Sequence, residues 1–246
     1  MKSRISVSVI GLGYIGLPTA VFMAKSGIRV FGYDISERVR LAVSDGRAHI
    51  FEEGLDELVQ LVVNSGNLTI HDALQPANVY MICVPTPVSE GLPDLQFVQE
   101  ATRHVAAQVK NGDVVILEST SPVGTVESIQ NKLSELAPDV SVKVAYCPER
   151  VIPGRMLEEF RTNPRIIGCD CKETASNLAA FYAGFTAAEV TITDAKTAEM
   201  CKLVENAYRD VNLAFANEVS LLADASGVDV WELRRLANLH PRVNML

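Results

Sequence analysis

The chain has 246 residues, enough to bury a large core, and its 48% hydrophobic and 21% charged residues describe a folded α/β protein, not a disordered one. A formal net charge of −8 argues against a nucleic-acid surface, which needs clustered Lys and Arg, and no run of about 18 apolar residues exists to cross a membrane. The basic start MKSR reaches glycine too soon for a secretory leader. Five scattered cysteines, Cys83, Cys147, Cys169, Cys171 and Cys201, suit reduced thiols, so a cytoplasmic protein is expected.

The first predicted strand is a short apolar run, Ile5, Val7, Val9 and Ile10, which breaks into Gly11-Leu12-Gly13-Tyr14-Ile15-Gly16. A helix follows to Ser26, then a second apolar run over 28–33 that stops at Asp34. Strand, glycine turn, helix, strand and acidic residue form the dinucleotide-binding fingerprint. Gly11 permits the tight turn, Gly13 lets backbone approach a pyrophosphate, and Gly16 allows close helix packing. The helix N-terminus offers free N–H groups to the phosphates. Asp34 would accept hydrogen bonds from the adenosine ribose and repel a 2′-phosphate, which favours NAD over NADP. FAD sites share the fingerprint.

A helix is expected over 36–44 with Ser36 as its N-cap, and Arg38 or Arg40 either leans over the adenosine end of the cofactor or lies on a solvated face. Leu55, Leu58, Leu61 and Val62 give helical spacing within 52–63, stopped by Asn64-Ser65-Gly66. The run NVYMICV at 78–84 reads as a buried parallel strand ending in Pro85-Thr86-Pro87. A helix over 95–109 and a strand over 113–117 lead to Glu118-Ser119-Thr120-Ser121-Pro122, and after Gly124 a helix runs to Leu136. A strand over 142–146 delivers Cys147-Pro148-Glu149-Arg150. Three successive strands thus bring Thr86, Thr120 and Glu149 to one rim of the sheet, the edge where open α/β sheets bind ligands.

Later come a short helix over 156–160, strands over 165–168 and 189–192, and a helix over 173–182 between them. Residues 194–225 contain no Gly or Pro and are expected to form one long helix capped by Asp194. On its wheel Met200, Val204, Ala207, Val211 and Leu222 share an apolar side, either core or a subunit contact. Lys202 and Asn206, four apart, project together on the polar side with Arg209 and Asn217. Asp229 caps a final helix to Asn238. Cys169-Asp170-Cys171 lacks the further ligands of a metal site, and no metal is expected. The acceptor pattern Asn67-Leu68-Thr69 is expected to be idle.

These pieces, Gly11 to Gly16, Asp34, Pro85-Thr86-Pro87, 118–122, Pro148-Glu149 and Lys202 with Asn206, resemble in their order the nucleotide-sugar 6-dehydrogenases typified by UDP-glucose dehydrogenase. The stretches ESTSPVG, YCPERVIPG, TAEMCKLVEN, RDVN and HPRVN are most similar to the members that oxidise UDP-N-acetyl-D-mannosamine. Glucose-oxidising members carry a second Glu four residues after the counterpart of Glu149, where this chain has Pro153. The resemblance implies a Rossmann-like, mainly parallel α/β domain over 1–193, then a connecting helix and the start of an all-helical central domain over 194–246, pairing as a homodimer. It implies a four-electron oxidation of a UDP-sugar alcohol to a uronate in polysaccharide biosynthesis, through a cysteine-bound thioester.

Carried over, Glu149 assists water attack on the thioester, Thr120 holds that water or the nicotinamide end, and Lys202 with Asn206 stabilises developing oxyanion character. NAD contacts are expected at Gly11, Gly13, Tyr14, Ile15, Gly16, Asp34, Arg38, Pro85, Thr86 and Thr120. The family's nucleophile lies in a Gly-Gly-His-Cys motif that is absent from these 246 residues. Cys147 is the best-placed substitute, although a buried strand thiol is the favoured reading. The polypeptide is therefore expected to bind NAD(H) without completing the oxidation. UDP-N-acetylglucosamine and UDP-glucose are alternative substrates, and a non-catalytic NAD-binding or dimerisation module and a 3-hydroxyacid dehydrogenase are alternative functions.

Overall fold

The computed structural model describes residues 5–152 and 154–246, so the MKSR start and Pro153 lie outside the described residues. Among the described residues two compact units form, one through Met200 and one over Cys201–Leu246.

The first unit begins with strand β1 (Ser6–Ile10), helix α1 (Gly16–Lys25), strand β2 (Arg29–Tyr33), helices α2 (Glu37–Ser44) and α3 (Leu55–Asn64), and strands β3 (Leu68–His71) and β4 (Val79–Ile82). A hairpin of β5 (Val88–Ser89) and β6 (Leu92–Pro93) turns through Glu90 and Gly91, both left-handed. Then come α4 (Gln96–Ala106), β7 (Val114–Leu117), α5 (Thr125–Leu136), β8 (Lys143–Tyr146), α6 (Met156–Thr162), β9 (Arg165–Gly168), α7 (Lys172–Ala183) and β10 (Val190–Thr193). Helix α8 (Ala195–Ser226) starts in the first unit and continues in the second, which also holds α9 (Val230–Ala237).

The main sheet has the order β10-β9-β8-β7-β4-β1-β2-β3. Strands from β3 to β8 are mutually parallel, whereas β9 meets β8 antiparallel at Tyr146 and Gly168 and pairs parallel with β10. The short edge strand β3, the hairpin and the reversal at β9 are additions to what the sequence pattern indicates. Strand direction depends on partners, not on local spacing.

Period-two alternation sorts the strand side chains onto two faces. Val7, Val9, Met81, Ile116 and Ala145 join Leu17, Met23, Val59, Phe160 and Tyr182 in one core, under α1, α3, α6 and α7. Tyr80, Ile82, Val115, Leu117 and Val144 join Val98, Val105, Ile129 and Leu133 in the other, under α4 and α5. Each fully buried side chain of Leu or Phe size contributes about 1.5–3 kcal/mol, so both faces are strongly committed. Ser36 caps α2 as expected, accepting from Val39 N, and Asp194 accepts from Thr197 N at 2.8 Å.

Gly168 at the end of β9 seats the start of α8, because a Cβ there would lie 2.4 Å from that of Ala198. Glu199, fully buried, then accepts from Gly124 N at 2.6 Å and Val126 N at 2.8 Å, closing the N-terminus of α5. In the second unit Asp229 caps α9 through Trp231 N and Glu232 N, and Asn238 exchanges two hydrogen bonds with Met245. Among the described residues, Val204, Val211 and Leu222 on the apolar stripe of the long helix are exposed.

Candidate active site

The sheet order reverses between β1 and β4, and a cleft of about 660 Å³ lies at the carboxyl ends of these strands. Gly11, Gly13, Tyr14, Ile15, Asp34 and Pro85 line it, together with Tyr33, Phe97, Glu100 and His104. Crevices at such a switch point are where open parallel sheets take ligands.

The three loop glycines differ in what surrounds them. Gly11 has φ +87°, and a Cβ on it would meet the Cys83 carbonyl at 2.5 Å. Gly16 is tighter still, with its would-be Cβ 1.9 Å from the carbonyl of Gly11. Gly13 has no heavy atom within 4 Å of that position. Two glycines are required by the protein's own packing, and the third faces open space beside the first turn of α1. That is the arrangement a pyrophosphate requires, backbone N–H groups at a helix N-terminus with no side chain in the way.

Asp34 braces the loop. Its Oδ2 accepts from Leu12 N and its Oδ1 from Ser36 N, both at 2.8 Å. Each carboxylate oxygen keeps a second lone pair for a ribose hydroxyl. Arg40 donates to the backbone carbonyls of Asp34 and Ile35, so it supports the turn. Arg38 is exposed and outside the cleft lining, and its charge, after burial, helps hold His49 below the usual histidine range.

The rim residues follow from register. Ile82, Leu117 and Tyr146 stand side by side at the ends of β4, β7 and β8, and Thr86, Thr120 and Glu149 come three or four residues later. Thr86 Oγ1 donates to the Thr120 carbonyl at 2.7 Å, and Ser119 Oγ to the Val84 carbonyl at 2.7 Å, stitching adjacent turns together. Glu149 is 7% exposed; its Oε2 accepts from Arg165 Nη2 at 3.2 Å and its Oε1 from Arg150 N at 2.6 Å. Lys202 and Asn206 lie in the second unit, four residues apart on α8, Lys202 half-buried and Asn206 exposed.

Beneath this rim sit Cys147, weighed from the sequence as a substitute nucleophile, Glu118, visible there only within its turn, and Arg165, which sequence reasoning did not single out; Glu52, also not singled out, braces Tyr14. Glu118 is buried and accepts from Thr19 Oγ1 at 3.2 Å, Cys83 Sγ at 3.3 Å and Tyr182 OH at 3.2 Å. Burial, then the charge of Glu149, push its carboxyl up to about 7. Arg165 stacks on Phe160 and Tyr182, at 4.2 and 5.3 Å from the ring centroids. Cys147 is buried and its thiol is pushed far up by that burial, which is the opposite of an activated nucleophile. Glu52 is buried and accepts from Tyr14 OH at 3.2 Å, Gly154 N at 2.9 Å and Met156 N at 2.8 Å. An Arg opening the apolar strand RIIG and a Glu at the start of the helical segment expected over 52–63 were the available signals, and both also fit a solvated surface; the helix in fact begins at Leu55, which leaves Glu52 in the loop ahead of it.

Among the described residues no group of three or more His, Cys, Asp or Glu could hold a metal ion, and no helix is long and apolar enough to cross a membrane.

Residues 5–186 match the NAD binding domain of the UDP-glucose/GDP-mannose dehydrogenase family, and residues 196–246 match its central domain. The chain is 47% identical to an NDP-N-acetyl-D-galactosaminuronic acid dehydrogenase of Ralstonia nicotianae and 45% identical to a UDP-N-acetyl-D-mannosamine dehydrogenase of Yersinia pestis. In both cases 98% of this chain aligns with 60% of the relative, so it spans about three fifths of their length. The solved structure of a UDP-D-ManNAc dehydrogenase from Pyrococcus horikoshii superposes with a TM-score of 0.95 at 44% identity, over 98% of this chain and 59% of that one. A GDP-mannose dehydrogenase from Pseudomonas aeruginosa gives 0.90 at 25% identity, over 98% and 58%. With the cleft, the open position at Gly13 and the acidic Asp34 in place, the chain belongs to the UDP-glucose/GDP-mannose dehydrogenase family and carries its NAD-binding domain.

Proposed function

We propose that these residues form the amino-terminal part of a UDP-sugar 6-dehydrogenase that oxidises UDP-N-acetyl-D-mannosamine to the uronate for polysaccharide synthesis in the cytoplasm. The supporting observation is the joined rim beside the glycine cleft, where the Thr86 to Thr120 hydrogen bond fixes the turns after β4 and β7 next to the turn carrying Glu149. An acetamido sugar is favoured by Pro153, at the place of the glucose enzymes' second Glu, and by the acetamido sugars named in the relatives above. UDP-N-acetylglucosamine and UDP-glucose rank below it.

In this reading the loop at Gly11, Gly13, Tyr14 and Ile15, with Gly16 packed below it, cradles the pyrophosphate, and Asp34 receives the ribose hydroxyls. Bound NAD supplies the two-electron acceptor. Pro85, Thr86 and Thr120 shape the nicotinamide end, and Glu149 takes a proton from water. Lys202 and Asn206 oppose negative charge developing on the sugar-derived oxygen. Arg38 serves the outer, adenosine end.

The domain division follows the same reading, with NAD bound by 1–193 and the central helical domain beginning at 194. The exposed Val204, Val211, Leu222 and Trp231 are the contact through which two copies pair, and light scattering tests that pairing.

These 246 residues contain no Gly-Gly-His-Cys sequence, and the Cys147 thiol is held neutral, so the polypeptide binds NAD without completing the oxidation. Calorimetry with NAD, followed by absorbance assays for NADH with UDP-N-acetyl-D-mannosamine, tests both statements. Binding without sustained NADH production is expected. Absence of NAD binding overturns the reading, and steady turnover overturns the inactivity.

A further inference from the structure

Three stretches far apart in the sequence meet at the carboxylate of Glu52, which is 8% exposed. Its Oε2 accepts from Tyr14 OH at 3.2 Å and from Gly154 N at 2.9 Å, and its Oε1 from Met156 N at 2.8 Å. One oxygen therefore joins the glycine loop of the cofactor cleft to the approach to α6. The partners are 38, 102 and 104 residues away from Glu52.

Both ends of this link are anchored. The Glu52 carbonyl accepts from Leu55 N at 3.1 Å in the turn into α3, and a Cβ on Gly54 would already touch Leu157 of α6 at 3.4 Å. Met156 opens α6, whose N-cap residue Arg155 makes no side-chain cap bond, so Glu52 supplies a cap from another segment. Phe160 seats α6 in the core, stacked on Phe22 of α1 with ring centroids 4.3 Å apart. From α6 two side chains then reach back toward Glu149. Glu159 Oε2 accepts from Ile152 N at 2.8 Å, and Asn163 Nδ2 donates to the Arg150 carbonyl at 2.9 Å.

Tyr14 is the end of the link that a ligand can reach. It follows Gly13, the position that faces open space, and it lines the cleft. A pyrophosphate received there by backbone N–H groups fixes the turn, and with it the reach of the Tyr14 hydroxyl. Glu52, Gly154 and Met156 lie outside the cleft lining, so the Tyr14 hydroxyl is the contact that carries the effect to them. Coupling between sites travels through such contiguous contacts, and it is established by measuring it.

We propose that Glu52 is a positioning residue that ties the start of α6, behind Glu149, to an occupied cofactor cleft: it responds to the cofactor through Tyr14 and holds Gly154 and Met156 more firmly when NAD is bound. The coupling itself needs only NAD in the cleft, and it rests on the proposed function for the use made of Glu149. By linkage it is reciprocal, so the same contacts strengthen NAD binding.

Amide hydrogen exchange of the 246-residue chain, read by mass spectrometry on peptides containing Gly154 and Met156, tests this with NAD and no sugar. In the wild type, saturating NAD should slow exchange there at least about fivefold. Tyr14→Phe removes one hydroxyl and keeps the loop backbone. At NAD saturating for that variant, as set by calorimetry, the slowing should shrink to under about twofold, and NAD should bind about fivefold more weakly. Glu52→Gln should exchange faster without NAD and lose the response as well; where it does not fold, Tyr14→Phe alone decides. A Glu52 that only holds the fold together would quicken exchange equally with and without NAD and leave the response of Tyr14→Phe intact, which overturns the proposal. NAD binding to the wild type with no change at these amides overturns it too and leaves the function standing, whereas absence of NAD binding overturns both.

Discussion

The glycine cleft and the polar cluster beneath the rim lie at the same end of the same sheet, yet they treat polar groups in opposite ways. In the cleft the structure leaves capacity unused: Gly13 faces empty space, and each Asp34 oxygen holds one backbone N–H with a lone pair to spare. In the cluster every carboxylate is buried and met by neighbours, three donors on Glu118 and two on Glu149. Open capacity marks where a ligand supplies the missing partner, and closed satisfaction marks where the protein tunes its own charges.

The sharpest way to break that contrast is within the glycine loop. Gly16→Ala places a Cβ 1.9 Å from the Gly11 carbonyl and should cost roughly 3 kcal/mol or more in urea unfolding. Gly13→Ala should leave stability within about 0.5 kcal/mol while weakening NAD about tenfold in calorimetry, near 1.4 kcal/mol. Equal destabilisation by the two would show that Gly13 is a packing glycine and that the cleft is not open as described.

The cluster makes its own prediction for pH. The carboxyl of Glu118 rises from 4.5 to about 7 on folding. Between those values the folded chain keeps a proton that the unfolded chain has released, so stability falls as pH rises through that window and levels off above it. The loss attributable to Glu118 is about 3 kcal/mol, read as the difference between the pH profiles of the wild type and Glu118→Gln, which mimics the protonated form. Parallel profiles would place Glu118 with ordinary carboxylates.

A smaller effect is expected at Glu199, a buried carboxylate that accepts from two backbone N–H groups. Glu199→Gln keeps one acceptor for Gly124 N or Val126 N and turns an amide donor toward the other, for a cost of about 2 kcal/mol. Stability unchanged in urea would mean that solvent or a rearranged turn replaces this cap.

Legibility in the sequence tracked the distance over which each feature is decided. Ser36, Asp194 and Asp229 were readable as caps because the groups they bind lie two or three residues away. The glycine turn and Asp34 were readable because strand, turn, helix and strand occupy one contiguous stretch. Glu118 was visible only as part of a hydroxyl-rich turn. Its partners Thr19 and Tyr182 are 99 and 64 residues away, and no local pattern announces such a meeting. The apolar stripe of α8 was correctly seen, but whether it packed inside the chain was open until Val204 and Val211 proved exposed.

By itself, then, the sequence determined the dinucleotide unit, the order of most elements and the rim at Thr86, Thr120 and Glu149, because hydrophobic periodicity and turn chemistry are written in neighbouring residues. Only the tertiary structure decided which carboxylates meet solvent and which are buried against donors from distant segments, that β9 runs against β8, and that Glu199 closes α5. Burial and charge pairing are properties of contacts between distant segments, and they set the protonation of a group whose type alone the sequence records.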